Sequence, residues 1–208
     1  MTEKEELRLI KLKEIEKNMY EEGTKYICGI DEAGRGPLAG PVVVASCIMP
    51  KDSMIEGVND SKKVSEKKRE RVYEEIIKEA LSYGVGIIDE GTIDDINILQ
   101  ATKLGLTNSL KELKIKPDLI LVDALKDINT FGIPYMSIIK GDATCYNIAA
   151  ASIIAKVTRD RIMLEYDKVY PEYGFAKHKG YGTAEHIAAI KKYGLCPIHR
   201  RSFVKNFI

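Results

Sequence analysis

Tryptophan is absent from this 208-residue chain, and histidine and cysteine are scarce, with three and four copies. Cys28, Cys47, Cys145 and Cys196 lie far apart and form no C-x-x-C pair, which argues against a zinc ribbon or a dithiol redox centre. Cys28 and Cys47 fall inside apolar runs and are expected to be small core residues. The histidines show no metal-ligand spacing, and His186 is expected on a helix surface. Net charge is missing too: 32 Lys and Arg stand against 31 Asp and Glu, so a polyanionic partner must be held by a local basic face. No apolar run approaches the roughly 20 residues of a membrane span. From Met1 to Lys17 the chain is dense in Lys and Glu, unlike a secretory leader, so the expected compartment is the cytoplasm. No P-loop Gly-Lys-Ser/Thr occurs, and no repeat or low-complexity segment marks a further domain.

What is present is organised around Tyr26-Ile-Cys-Gly-Ile-Asp31-Glu32-Ala-Gly34-Arg35-Gly36-Pro37-Leu-Ala-Gly40-Pro41. A short apolar strand runs into two adjacent carboxylates, and then into a loop too rich in glycine and proline for helix or regular strand. Adjacent acids at a buried strand end raise each other's pKa unless something positive neutralises them, and a divalent cation does so most directly. The glycines allow backbone N–H groups to approach a ligand without an intervening Cβ, and Arg35 offers a charged fork.

Apolar periodicity predicts strands at 26–31, 41–49, 83–89, 119–123 and 134–139. Helices are expected at 3–22, 65–81, 92–113, 143–170 and 183–193. In the third of these Ile96, Leu99, Leu106 and Leu110 should face inward; Gly84 and Gly86 should mark close packing, and Ala149 to Ser152 should let a helix approach the sheet. Alternating strands and helices make this an α/β domain on a sheet of about five strands, preceded by an N-terminal helical extension at 1–23. Residues 24–208 are assigned to a single α/β domain.

Asp31, Asp123 and Asp142 each follow a run of apolar strand residues, and ligands of open α/β sheets gather at carboxyl ends of strands. With Glu32 they form an oxygen-only donor set suited to Mg²⁺ or Mn²⁺. Two such ions about 3.5–4 Å apart would support in-line phosphodiester hydrolysis. Taken singly, Asp142 could be only a helix N-cap, and Asp31 and Asp123 turn residues; Glu32 fits no capping role. Lys62, Lys63, Lys156, Lys179, Arg200 and Arg201 could contact phosphate or be solvated charges. Tyr181, between glycines, could stack on a sugar or base or simply anchor its loop. A rival reading is a non-catalytic protein that binds nucleic acid or nucleotide through the Gly-rich loop; activity with and without a chelator separates the two.

The Asp31-Glu32-Ala-Gly34-Arg35-Gly36-Pro-Leu-Ala-Gly-Pro stretch resembles the type 2 ribonucleases H, and most closely the bacterial ribonuclease HII proteins. The likeness continues through Asn59-Asp-Ser-Lys-Lys, Asn97-Ile-Leu-Gln100, Leu121-Val-Asp123, Lys140-Gly-Asp142-Ala, Ala151-Ser-Ile-Ile-Ala-Lys156-Val-Thr-Arg-Asp and His178-Lys-Gly-Tyr181-Gly-Thr. It implies a ribonuclease H-like fold, with a five-stranded mixed sheet flanked by helices, the first and fourth strands adjacent and parallel, and a C-terminal helical extension. It also implies hydrolysis of the RNA strand of RNA–DNA hybrids, and incision 5′ of single ribonucleotides in duplex DNA to leave 3′-hydroxyl and 5′-phosphate ends. On that resemblance Asp31, Glu32, Asp123 and Asp142 hold the metals, and the Gly34-Arg35-Gly36 backbone reads the 2′-hydroxyl. Tyr181 stacks on the neighbouring deoxyribose, and Lys62, Asn97, Gln100 and Lys156 are further expected substrate contacts. A monomer is expected. The type HIII relatives carry a large extra N-terminal domain, whereas only about 25 residues precede the first strand here.

Overall fold

A computed structural model describes residues 1–205; positions 206–208, part of the domain assigned to 24–208, lie outside the described residues. In chain order it contains α1 (Glu3–Leu12), α2 (Glu14–Glu21), β1 (Ile27–Ala33), β2 (Val42–Ile48), a 3₁₀ turn (Ser61–Lys63), α3 (Glu66–Glu79), β3 (Ser82–Ile88) and α4 (Glu90–Lys111). There follow β4 (Leu119–Asp123), β5 (Tyr135–Ile138), α5 (Gly141–Thr144), α6 (Tyr146–Val169), a second 3₁₀ turn (Pro171–Tyr173), α7 (Phe175–His178), α8 (Ala184–Tyr193) and α9 (Arg201–Val204).

The strands form one mixed sheet in the order β3-β2-β1-β4-β5. β1 pairs antiparallel with β2 and parallel with β4, which β5 extends in parallel. Successive strand residues point to opposite faces. On β2, Val43, Ala45 and Cys47 therefore pack with α6, α3 and the α1 residues Leu9 and Leu12. Val44 and Ile48 join Cys28, Ile30 and Leu106 and Leu110 of α4 on the other face. Both Cys28 and Cys47 are core residues, as expected. A Cβ at Gly29 would lie 2.1 Å from the Asn147 carbonyl carbon, so only glycine lets the start of α6 rest on β1. Gly86 meets Gly105 O of α4 in the same manner, at 2.0 Å.

Several boundaries differ from expectation. The helix expected over 3–22 breaks at Lys13, whose ammonium leaves to donate to Lys51 O and Ser53 O at 2.6 and 2.7 Å. β1 continues past the acids to Ala33, because its ladder to β2 runs on through Ala33↔Val43 after the pairing with β4 has stopped. α4 is kinked at Asn97 (φ 65°), whose Oδ1 accepts from Leu99 N and Gln100 N and so caps the second half. That kink shifts the helical phase: Leu106 and Leu110 are buried as expected, while Ile96 and Leu99 are exposed. The helix expected from 143 to 170 is split by the extended residue Cys145.

The split is capped from outside. Glu16 of α2 is fully buried, and its Oε1 accepts from Asn147 N at 2.7 Å and Asn147 Nδ2 at 3.0 Å, in the first turn of α6. Leu9, Leu12 and Glu16 thus tie the N-terminal helices to the core beneath the strand that carries the acids.

Candidate active site

Register places the acids. Ile30 pairs with Val122, so the next residues, Asp31 and Asp123, emerge from neighbouring parallel strands at the same end of the sheet. Asp123 Oδ1 accepts from Gly141 N at 2.8 Å, which fastens the start of α5 to the end of β4 and brings Asp142 into the same crevice. Asp31 and Asp142 are nine-tenths or more buried. Burial, then the Glu32 and Asp123 charges, push the Asp31 carboxyl well above the ordinary range. Burial and the Asp60 and Asp123 charges raise Asp142. Glu32 is raised by burial although Arg35 Nη1, 3.3 Å from its Oε1, opposes the shift.

Four acids from three elements therefore share one field. Lys62 faces it: burial would lower its pKa, but Asp31, Asp142 and Asp60 together hold it above its usual value. Asp60 is a fifth acid that sequence reading did not single out. Its Oδ1 accepts from Lys62 N at 3.0 Å, and its place within Asn59-Asp-Ser-Lys-Lys was the available signal. An all-carboxylate cluster with this unrelieved repulsion has the donor chemistry of a hard divalent cation site. Among the described residues, however, no three His, Cys, Asp or Glu side chains are drawn into a ready ion cage.

Beside the acids the Gly-rich loop is held by two buried guanidiniums. Arg200, 0% exposed, donates through Nη2 to Gly34 O at 2.6 Å, Nη1 to Arg35 O at 3.0 Å and Nε to Gly40 O at 2.9 Å. Arg159 donates to Pro41 O, Ala39 O and Lys179 O at 2.9–3.0 Å. Backbone bonds from Leu38 N to Gly180 O and from Gly40 N to Ile198 O complete the stitching. Burial and the Arg159 charge push the Arg200 pKa down to about 9. Arg200 is thus a scaffold and not the phosphate contact expected of a surface arginine. Arg159 went unnoticed because an arginine in a helix reads as surface. Lys179 is turned inward too, donating to Ala176 O.

Tyr181 stands at the far side of this loop with 42% of its surface exposed. A Cβ on Gly36 would meet its ring edge at 3.9 Å, an ordinary van der Waals contact, so Gly36 and Tyr181 lie within side-chain reach of each other. The loop behind Tyr181 rests on the three histidines. His186, expected at a surface, is fully buried: α8 turns that side inward so that its Nδ1 donates to Tyr181 O at 2.9 Å. A carbonyl accepts only, so the His186 proton is on Nδ1 and its Nε2 accepts from His199 Nε2 at 3.0 Å. His199 Nδ1 then accepts from Cys196 N at 2.9 Å. Every link is satisfied with neutral rings, and burial accordingly pushes His186 down to about 4.

The remaining expected contacts stand apart. The Lys156 ammonium is held by Asp160 at 2.6 Å. Asn97 and Gln100 are exposed on α4. Among the described residues none of the three bonds to the acids.

The family profile described as Ribonuclease HII matches residues 28–206. Ribonuclease HII of Ruminiclostridium cellulolyticum is 58% identical over 203 residues, covering 97% of this chain and 78% of that protein. Among solved structures, ribonuclease H2 from Pyrococcus horikoshii superposes with a TM-score of 0.73 at 28% identity over 88% of this chain and 96% of that one. Bst-RNase HIII in complex with Mn²⁺ shares the fold, at a TM-score of 0.61 and 20% identity over 83% of this chain and 64% of that one. A match over nearly the whole chain, with the motif acids brought to one sheet end, has one meaning: the chain belongs to the ribonuclease HII family of metal-dependent endoribonucleases.

Proposed function

We propose that this endoribonuclease hydrolyses the RNA strand of RNA–DNA hybrids and incises 5′ of single ribonucleotides in duplex DNA, leaving 3′-hydroxyl and 5′-phosphate ends. Asp31, Glu32, Asp123 and Asp142 hold two Mg²⁺ or Mn²⁺ ions, which when bound supply an activated water and a stabilised leaving oxygen. Positions 24–208 form the catalytic domain and 1–23 buttress it, and the protein works as a cytoplasmic monomer.

The observation that carries this reading is the convergence of mutually repelling carboxylates from β1, β4 and α5 beside a glycine loop. Substrate phosphate alone would be repelled there. Lys62 is the cation best placed to meet a phosphate, while Gly34, Arg35 and Gly36 present backbone to the sugar and Tyr181 presents a ring. Only the 2′-hydroxyl distinguishes a lone ribonucleotide from its neighbours, and close backbone donors reach it where side chains would crowd. Asn97, Gln100 and Lys156 would touch the duplex farther out.

A labelled duplex with one ribonucleotide, incubated with Mg²⁺ or Mn²⁺ and with a chelator, tests the reading by mapping the cut. Asp123→Asn should reduce cleavage by at least about 10³-fold, the scale of a lost electrostatic group at a reacting centre, while duplex binding persists. Tyr181→Ala should lower junction cleavage roughly 10-fold, as loss of one stacking contact does, with the melting temperature unchanged because the ring is exposed. Cleavage in the presence of chelator, or an active Asp123→Asn, would sink the proposal.

A further inference from the structure

We propose that Arg200, from beneath the Gly-rich loop, is a positioning residue for ribose recognition. The inference rests on the reading that this loop meets the sugar, and it names what aims the loop.

The argument is peptide geometry. All peptide bonds of the described residues are trans. In a trans peptide the C=O of one residue and the N–H of the next point in opposite directions from a shared plane. Arg200 Nη2 and Nη1 draw the carbonyls of Gly34 and Arg35 inward. The N–H groups of Arg35 and Gly36, in those same two planes, must therefore point outward. Neither amide finds an acceptor among the described residues. Arg35 and Gly36 are exposed while Gly34 and Arg200 are buried, which agrees with that orientation. Two consecutive donors are thus left free on the exposed side of the loop, the arrangement a hydroxyl or phosphate oxygen of a sugar-phosphate strand would accept.

The choice of arginine follows. A guanidinium presents a planar fork whose two Nη atoms reach neighbouring carbonyls at once, fixing two successive planes, whereas a lysine ammonium fixes one point. A charged donor on each carbonyl also polarises the peptide and strengthens its outward N–H as a donor. Gly34 has φ +94° and packs its α-carbon on Arg159, where a Cβ would sit 2.1 Å from Nε, so the loop cannot rotate to another compromise.

The test uses the full chain with Ca²⁺ in place of Mg²⁺, so that the acids are neutralised while the cut is suppressed. Backbone amide exchange by NMR should show Arg35 and Gly36 exchanging rapidly in the free protein. They should slow on adding a duplex with one ribonucleotide, and stay fast with an all-DNA duplex of the same sequence. Arg200→Lys, which keeps the charge and loses the fork, should reduce the affinity ratio between the two duplexes by roughly 10-fold, while affinity for the all-DNA duplex changes little. A merely structural role would weaken both duplexes together. If wild type discriminates and Arg200→Lys discriminates equally, the inference fails and the loop reading stands. If wild type does not discriminate, both fall. Should Arg200→Lys not fold, the exchange measurement decides alone: protected Arg35 and Gly36 amides in the free protein overturn the proposal.

Discussion

The two sides of the crevice bury charge in opposite ways. On the acid side Asp31, Glu32 and Asp142 are raised in pKa by burial and by neighbouring carboxylates, Asp123 among them, with Lys62 and Arg35 as the opposing cations. On the loop side Arg159 and Arg200 are buried as deeply, yet every donor direction used ends on a backbone carbonyl, six in all. The loop side is complete by itself, whereas the acid side is completed only by an incoming cation. Buried charge is tolerated when its hydrogen bonds are met, and it becomes a binding site when they are not.

Removing a strut should give the largest effect on stability. Arg159→Met leaves the carbonyls of Ala39, Pro41 and Lys179 without donors in a buried place, and breaking such a buried charged network costs about 3–5 kcal/mol. Urea denaturation would measure it, and a loss below about 1 kcal/mol would mean that the loop side is not the rigid partner in the comparison.

That asymmetry also explains what could be read in advance. Asp31 and Asp123 were legible because each ends an apolar run, and strand ends of α/β sheets are where such residues converge; Asp142, in the short helix α5 beyond β5, read equally well as a helix N-cap. The glycine loop was legible by composition. The frame behind it was not. Arg159 lies within a helix and Arg200 in a basic triplet, both patterns that ordinarily mean solvent, and His186 sits at a position whose inward direction depends on how α8 docks. The kink at Asn97 escaped for a related reason: one side-chain cap overrode a helical pattern that seemed continuous, and only Ile96 and Leu99 paid for the shift by facing outward. Long-range satisfaction of polar groups leaves no local signature, while strand-end acids do.

Acid should break the loop side next. Burial holds His186 at about 4 against an ordinary 6.5, so its folded form resists protonation. A pKa depressed on folding gives stability that is full above 6.5 and is lost as pH falls towards 4; the fall corresponds to about 3 kcal/mol. A protonated His186 would also set an N–H against the His199 N–H. His186→Asn, which keeps a donor near Tyr181 O, should show a correspondingly shallower loss of stability between pH 6.5 and 4. An unchanged slope would mean that the histidine chain is not the neutral relay its hydrogen bonds describe.

The acid side should respond with the opposite sign and more gently. The Asp31 carboxyl is raised on folding by burial and by Glu32 and Asp123, so the folded protein binds its proton more tightly than the unfolded chain does. Its contribution is therefore most favourable below the unfolded value of 3.8, and it declines as pH rises through the folded value. Asp31→Asn removes that penalty while keeping an Oδ1 to accept from Glu32 N. In metal-free protein at neutral pH it should raise the melting temperature by about 2–4 °C, the shift roughly 1 kcal/mol gives a chain of this length, and by nothing below pH 3.8. Added Mg²⁺ should then stabilise the wild type more than Asp31→Asn, because the ion relieves the repulsion that the substitution has already removed. A wild type that gains nothing from Mg²⁺, together with an Asp31→Asn protein no more stable than it, would show that the acids are already reconciled without a cation, and the contrast between the two sides would disappear.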